Sequence, residues 1–521
     1  INVFRPLTRR SGVGLLGAGA NQERKSMLNR RIIAASFFLA TASSAALAAA
    51  TADEAGRITT SLQTYFGSEP GVVTVVPQGD DYIVTLNPAP YFAKMGQPGV
   101  KVAIDPLVLT VRPKGNGQWD VSEKGPFAFG WVMEGLSTVD AKIADVTWSG
   151  VFDEASASFL SSTYAMKNFT VNQSMLDPGS QAKTNTASVY DNWSGTSTST
   201  PRPDGSVDST GTMSITGVVS AAKTEASPGG NAPPLNYSIT NAKTDYTTTV
   251  KGFRSRAVVD LIAWFVAHPS KELIVKDQQQ LKDKVLAALP LWESVESAGT
   301  MTDTAVATAI GQFALPSATI NVGMNGVSKD GKLREAFGVT GLTIPPGIAP
   351  PWTDGLIPHT IKFDVTASGV DLEAPVKLFV AQADLSKEPP IPAGSEPAYL
   401  AAFAPKNSMN ISFAGGEISS ATYSLTYEGA FTVNFAGLPT GTATLHMKGL
   451  DDVLAKVQAA AASDPSAQQA MGGLVAFKGF GKAEADGSMV WAIDMTQPGK
   501  VLVNGIDVSA MAGMAPPPPA P

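Results

Sequence analysis

The sequence predicts a mainly β protein of the α+β class, built from long antiparallel sheets or meanders with a few packed helices. Three observations support this prediction. Apolar and polar residues alternate over many short stretches, Asn-Gly and Asp-Gly pairs stand between these stretches, and few segments show helical spacing. Parallel strands, which are covered on both faces, would read as continuous apolar runs instead.

Residues 27–48 have the pattern of a cleavable signal peptide. Arg30-Arg31 precedes an apolar stretch, and small residues occupy the cleavage positions Ala46 and Ala48. A retained membrane anchor is the alternative, but a spanning helix needs about 20 strongly apolar residues, and Ser, Thr and Ala dilute this stretch. We therefore expect a mature chain that begins at Ala49, lies in the periplasm and does not span the membrane.

The charge balance restricts the class of partner. The chain has 38 Lys and Arg against 45 Asp and Glu; residues 1–48 hold seven of the basic and one of the acidic residues, so the chain from Ala49 carries a formal net charge of −13. Nucleic acid binding would require a basic surface, so we expect no nucleic acid partner.

Residues 1–26, which are basic and precede the leader pattern, are interpreted as a misassigned upstream segment. Absence of cysteine excludes disulfides and thiolate metal ligands.

The first predicted module spans residues 49–250 and begins with a helix near Ala55–Tyr65. Residues 181–250 contain 24 Ser or Thr among 70. A disordered linker is one interpretation, but alternation favours strands with hydroxylated outer faces, with Thr196–Asp208 and Glu225–Pro234 as long loops. The alternating apolar positions that predict strands in this module include Tyr82, Val84, Leu86, Val100, Val102, Ile104, Leu107, Leu109, Val111, Val146, Trp148 and Phe152.

Two further modules are predicted, each a helical segment followed by strands. Residues 251–448 form the central module, whose helical pattern stops at Pro269 and resumes after a capping-box sequence that starts at Asp277. Residues 449–513 form the C-terminal unit. Residues 514–521 are Pro-rich and are expected to be a disordered tail, because proline cannot donate to a sheet ladder.

Residue types that usually carry catalysis stand in unpromising contexts. The three histidines, His268, His359 and His446, are far apart and have no metal-ligand spacing. Asp80-Asp81 is predicted to form a hairpin turn, and Asp451-Asp452 the first turn of a helix. We therefore expect no catalytic, cofactor-binding or metal-binding residues. The enzyme alternative is a carboxylate-based hydrolase of envelope polysaccharide.

Two tryptophans are candidate ligand contacts. Trp193 stands among polar neighbours and Trp352 among prolines, whereas most tryptophans share the parity of core positions. Aromatic rings with a polar atom are suited to contact with an external ligand.

Several segments resemble a known family. These are Asp81–Asn87, Val100–Pro113 and Gly117–Val121 near the N-terminus, and Gly479–Gly481 and Val503–Gly505 near the C-terminus. They resemble exported alphaproteobacterial proteins of the domain-of-unknown-function family 2125 and, more distantly, AsmA-like and YdgA-like envelope proteins. The resemblance implies a periplasmic protein with long antiparallel sheets, supplies no catalytic residues, and adds to the expectation of lipid binding.

The functional prediction follows from an imbalance between strands and helices. About eighteen predicted strands each offer one apolar face, and the few helices are too short to cover them all. We therefore expect a non-catalytic cell-envelope protein that binds a lipid or a partner protein on an apolar sheet face. A structural or assembly scaffold without a ligand is the alternative.

Overall fold

The computed structural model describes residues 49–90, 92, 99–225 and 236–509. The structure is 52% strand and 22% helix, which confirms the mainly β prediction. The predicted signal peptide with Ala46 and Ala48, the upstream segment, the Pro-rich tail and most of the predicted loop Glu225–Pro234 lie outside the described residues.

Twenty-one strands form a single antiparallel sheet. In chain order they are β1 Val73–Gln78, β2 Asp81–Leu86, β3 Val100–Ile104, β4 Leu107–Gly115, β5 Gln118–Met133, β6 Ser137–Asp153, β7 Ser158–Leu176, β8 Lys183–Pro201, β9 Val207–Thr224, β10 Asn236–Phe253, β11 Ser294–Thr308, β12 Gly311–Asn325, β13 Gly331–Thr340, β14 Thr360–Val370, β15 Ser408–Ser419, β16 Ser424–Asn434, β17 Thr440–Lys448, β18 Lys482–Ala483, β19 Met489–Asp494, β20 Leu502–Val503 and β21 Ile506–Asp507.

The described residues also form eight helices, of which the first precedes β1 and the others lie between groups of strands. They are α1 Ala52–Phe66, α2 Ser255–Ala267, α3 Lys271–Lys276, α4 Gln278–Ala288, α5 Glu373–Gln382, α6 Glu396–Phe403, α7 Leu450–Ala461 and α8 Pro465–Gly479. A short 3₁₀ turn spans Pro351–Thr353.

Strand order in the sheet almost follows chain order. β1 pairs with β2, β2 with β4, and β4 with β5, while β3 pairs with the far half of β5. From β5 to β17 each strand pairs with the next, and β19 then joins β17 to the short β20–β21 hairpin. β10 and β11 are neighbours, so the sheet continues across the module boundary predicted at residue 250.

Helix α1 confirms the first predicted helix and covers the N-terminal end of the sheet. Thr51 caps it by accepting a hydrogen bond from the Glu54 amide at 3.3 Å. Ile58 and Leu62 are fully buried. They pack in one core cluster with apolar residues of β1, β2 and β4–β7, among them Val84 and Phe152. This cluster closes one end of the sheet.

The helix start predicted at Asp277 is confirmed, because Asp277 is the N-cap of α4, but the capping box itself is not formed. Asp277 also ends α3, and its side chain makes no cap hydrogen bond. Its carboxylate instead lies 3.0 Å from Nε2 of His268, which ends α2 and stacks on Trp264 at 3.9 Å between ring centroids. The carboxylate is thus engaged by a ring nine residues upstream, and the chain kinks between the two short helices.

Helices α7 and α8 cover the other end of the sheet. Asp464 and Pro465 take the N-cap and N1 positions of α8, and Asp464 accepts a hydrogen bond from the Ser466 amide at 2.8 Å. The core cluster under these helices contains Met447 and Trp491, both buried. Apolar contacts therefore close both ends of the strand path.

Turn chemistry was a good guide to the tight hairpins. Asn116-Gly117 joins β4 to β5 with positive φ angles of 54° and 73°, and Asn504-Gly505 joins β20 to β21 with 50° and 83°.

The long loop predicted over Thr196–Asp208 is wrong, because β8 runs to Pro201 and β9 begins at Val207. Its hydroxyls pair across the strands instead, as in Ser199–Ser209 at 2.8 Å.

A line of irregular positions, here called the crease, crosses the sheet from β6 to β12. On each of these strands one residue has no partner in the pairing register. Where the strand has a neighbour on both sides at that point, the residue is unpaired with both. Alternate strands place a residue of positive φ there, with Asn168 at 51°, Gly217 at 63° and Asp303 at 51°. Such bulge-like interruptions bend strands and increase their twist. The crease residues are Ala144, Asn168, Asp191, Gly217, Ala242, Asp303 and Pro316.

Candidate functional site

One face of the sheet continues across the crease. Directly opposed residues of antiparallel strands share a face, and at the crease the apolar positions step by three residues instead of two, as from Tyr190 to Trp193. Phe169 contacts both rings, with centroids 5.3 Å and 6.2 Å away. The residues on either side of the crease therefore lie on the same side of the sheet, which we call the sheltered face.

The sheltered face carries no charge over six strands. Among the paired residues of β7–β12, the register places every Asp, Glu, Lys and Arg on the opposite face or on the crease. Charged residues on one face only are typical of an antiparallel sheet that has one solvated face and one apolar face. The charged residues of the opposite face are Lys167, Lys183, Asp208, Lys223, Lys243, Asp245, Lys251 and Glu296.

Large apolar side chains of this face are accessible in the middle of the sheet. Phe337 of β13 and Phe363 of β14 lie 5.7 Å apart, and Phe413 of β15 and Phe431 of β16 lie 6.4 Å apart, measured between ring centroids. All four rings are half-buried, unlike the fully buried residues under α1. A second packed layer would bury them, so this part of the face is open.

In β11 the sheltered face is more shielded from solvent than the opposite face. Val295, Ser297 and Met301 on the sheltered face are half-buried, whereas Glu296 and Thr300, which alternate with them, are exposed. Interruptions of the pairing register bend strands, and a bend toward the sheltered face would give a difference of this sign.

Polar groups on the sheltered face are neutral and mutually bonded. Asn241, buried beside the crease, donates from Nδ2 to Thr304 Oγ1 at 2.8 Å and to the Thr302 carbonyl at 3.0 Å. Thr244 donates to Asn241 Oδ1 at 2.8 Å. These hydrogen bonds satisfy polar groups next to the crease, where the strands are not paired with each other.

Hydroxyl pairs flank the apolar middle of the face on both sides. Ser188–Ser220 at 2.8 Å lies on one side of the crease and Thr248–Ser297 at 3.1 Å on the other. The prediction of hydroxylated outer faces is thus wrong in part, because Ser and Thr occur on both faces. The face changes from apolar beside the crease to neutral polar toward the strand ends.

The two tryptophans predicted as ligand contacts have different surroundings. Trp193 is half-buried on the sheltered face beside the crease. Trp352 lies in the 3₁₀ turn and packs against the core cluster under α7 and α8. Burial raises the pKa of Tyr164, which packs in the same cluster as Trp193. Both ligand contacts stay predictions.

The face as a whole was not predicted residue by residue. Its signal in the sequence is the step of three between apolar positions, as from Met166 to Phe169 and from Tyr190 to Trp193. A strict period of two hides this step, because it reads the two halves of a strand as facing opposite ways.

The candidate catalytic groups are separated and occupied by structural contacts. Asp81 binds Arg112 through two hydrogen bonds of 2.6 Å and 3.0 Å, and Asp451 accepts from Lys478 at 2.5 Å. His359 Nδ1 lies 3.0 Å from Thr360 Oγ1, and His446 Nδ1 lies 3.9 Å from Glu484. Within the described residues no three His, Cys, Asp or Glu side chains converge in a metal-binding group.

A shallow depression of about 840 Å³ lies mainly on the opposite face, near β3 and β5–β9. Its lining includes small residues such as Ala103 and Ala187, the ring of Trp131, and the charged residues Lys101 and Lys223. It is open and mainly apolar, but it contains charged side chains, whereas the sheltered face of β7–β12 carries none.

Comparison with protein families gives a match over part of the chain. Residues 298–510 match the family model described as "Uncharacterized protein conserved in bacteria (DUF2125)", which is less than half of the chain. No curated protein and no solved structure matches. The predicted resemblance is confirmed for this C-terminal part, which contains Gly479–Gly481 and Val503–Gly505. The segments Asp81–Asn87 and Val100–Pro113 lie outside the match.

The matched part contains most of β11 and all strands that follow. It therefore includes Phe337, Phe363, Phe413 and Phe431 of the open face, whereas Trp193 lies outside it. The resemblance to AsmA-like and YdgA-like proteins stays a prediction. None of the helices in the described part of the chain is long and apolar enough to cross a membrane.

Proposed function

We propose that the protein is a non-catalytic lipid-binding protein of the bacterial cell envelope, and that it holds acyl chains on the sheltered face. The observation that carries this proposal is a half-buried apolar surface that continues across neighbouring strands, carries no charge over β7–β12 and is covered by helices at its ends. The leader pattern of residues 27–48 supports the location.

Size and chemistry favour an acyl chain as the occupant. The open strands β8–β16 are nine neighbours, which at about 4.8 Å per strand span roughly 40 Å. Each methylene group removed from water contributes about 0.8 kcal/mol, so a fully buried acyl chain would be held firmly. Exposed apolar patches larger than a few hundred Å² are unusual on soluble monomers and mark binding surfaces.

The hydroxyl pairs support a lipid over a purely apolar ligand. Ser188–Ser220 and Thr248–Ser297 lie on opposite sides of the apolar middle. Neutral hydroxyls can donate to the ester oxygens that join acyl chains to their headgroup. A lipid on this face would thus have its chains on the aromatic rings and its ester groups near the hydroxyls.

The test compares lipid uptake by matched variants of one strand. Met301→Asp puts a charge on the sheltered face of β11, and Thr302→Asp puts the same charge on the opposite face one residue away, directly across from Lys243. We expect Met301→Asp to reduce phospholipid uptake at least about tenfold, because burying an unpaired carboxylate against acyl chains is unfavourable. Thr302→Asp should behave as the unaltered protein. Native mass spectrometry after incubation with phospholipid vesicles measures uptake, and circular dichroism checks folding.

A different outcome would favour the scaffold function. Protein purified from its own envelope without detergent should carry phospholipid. A ligand-free protein that also takes up no added lipid would contradict lipid binding and leave a structural or assembly role.

A further inference from the structure

The sheltered face carries one charge in its C-terminal half. Among the paired residues of β7–β17, Glu335 of β13 is the single charged side chain on that face. Val322 of β12 and Val365 of β14 lie directly opposite Glu335 in the two registers, which places all three on one side of the sheet. Phe337 follows two residues later on the same face.

Glu335 is exposed, and no basic side chain of the described residues forms an ion pair with it. The neighbouring cation is directed elsewhere. Arg334 faces the opposite side and binds the Asp364 carboxylate through bonds of 2.6 Å and 3.0 Å. Asp364 balances the Arg334 charge, and that pair lies across the sheet from Glu335. Glu335 is therefore a negative charge with apolar neighbours.

The location of Glu335 suits a headgroup. Exposure on the sheltered face falls along β13: Leu333 and Glu335 are exposed, Phe337 is half-buried and Val339 is buried. Phe337 lies 5.7 Å from Phe363 of β14 between ring centroids. A lipid with its chains on these rings would place its polar end at Glu335.

We propose that Glu335 selects lipids whose headgroup carries a protonated amine. This inference rests on the proposed lipid-binding function and adds the class of lipid. A carboxylate attracts an ammonium group and repels a headgroup whose only charge is negative. The best ligand of the sheltered face is then an aminophospholipid.

The experiment is a competition between two phospholipids with identical acyl chains. Vesicles with equal amounts of phosphatidylethanolamine and phosphatidylglycerol are incubated with the full-length protein, and the bound lipids are extracted and counted. We expect the unaltered protein to favour phosphatidylethanolamine about two- to fivefold, the range of one exposed ion pair. Glu335→Gln should bring the ratio close to one with total uptake unchanged. Glu428→Gln, an exposed glutamate of the opposite face, is the matched control and should keep the preference.

The outcomes separate the two proposals. Uptake of both lipids in equal amounts by the unaltered protein, or a preference that survives Glu335→Gln, would overturn the role of Glu335 and leave lipid binding intact. No uptake of either lipid would overturn both. Glu335→Lys adds a positive arm, because it should shift the preference toward phosphatidylglycerol.

Discussion

At the scale of single residues, the most unusual ionisable group is a carboxylate in the N-terminal core. Glu154 is buried and accepts a hydrogen bond from Trp119 Nε1 at 2.7 Å. Burial raises the pKa of Glu154, and the Trp119 hydrogen bond offsets this only in part. The folded protein therefore binds a proton at Glu154 more tightly than the unfolded chain does.

This shift predicts a pH-dependent stability. A carboxyl group with a raised folded pKa contributes stability below its unfolded pKa and loses it as the pH rises through the folded value. Glu154→Gln should therefore raise the melting temperature at pH 7.5, on the order of 1–2 °C for a chain of this size, and change it little near pH 4. Thermal unfolding at both pH values checks this, with Glu428→Gln as a surface control. An equal change at both pH values would contradict the assignment.

At the scale of elements, the crease sets the conformation of the long strands. Asn168 adopts a left-handed conformation in the middle of β7, a position that Asn tolerates and β-branched residues do not. Lys167, next to it, is exposed and extended. The two residues therefore differ in backbone demand while they share an environment.

Substitution by valine separates these demands. Asn168→Val should lower the free energy of unfolding by about 1–2 kcal/mol, because valine is strained at positive φ. Lys167→Val should change it by less than about 0.5 kcal/mol. Denaturant unfolding measures both. Equal free energies of unfolding for the two variants would contradict a special backbone requirement at Asn168.

Elements defined by local chemistry were predictable from sequence. Asn116-Gly117 specifies its hairpin through two residues, and Asp464-Pro465 specifies a helix start, so neither depends on distant contacts. Thr196–Asp208 was mispredicted because Ser and Thr are common in both loops and solvated strands. Only the pairing with β9 decides between them.

The sequence predicts that an apolar sheet face exists, but not which residues line it. The apolar character follows from alternation along each strand. The crease depends on which residues remain unpaired between neighbouring strands, and this is a property of the assembled sheet. Glu335 could not be distinguished by sequence from the charges around it. Arg334 and Glu335 are adjacent letters, and only the register of β13 puts them on different faces.

At the scale of the whole molecule, the covered ends of the sheet limit what the open middle can hold. Ile58 and Leu62 of α1 close one end, and the cluster around Trp491 under α7 and α8 closes the other. An apolar surface with two closed ends has a fixed capacity. We therefore expect native mass spectra to show a small whole number of bound phospholipids that does not increase with excess lipid. Adducts that grow in number with lipid concentration would contradict a bounded face.

The first and last strands of the path have a consequence for solubility at high concentration. A sheet with two terminal strands can template the addition of another chain and grow into a fibre. β1 contains Pro77, which has no amide hydrogen to donate, and the path ends at β20 and β21, two residues each. β3, which pairs with β5 alone, is a further edge strand, but it is only five residues long and carries Lys101. These edges thus offer poor or short partners for strand addition, so a sheet of this length can remain a finite body and not a seed for amyloid.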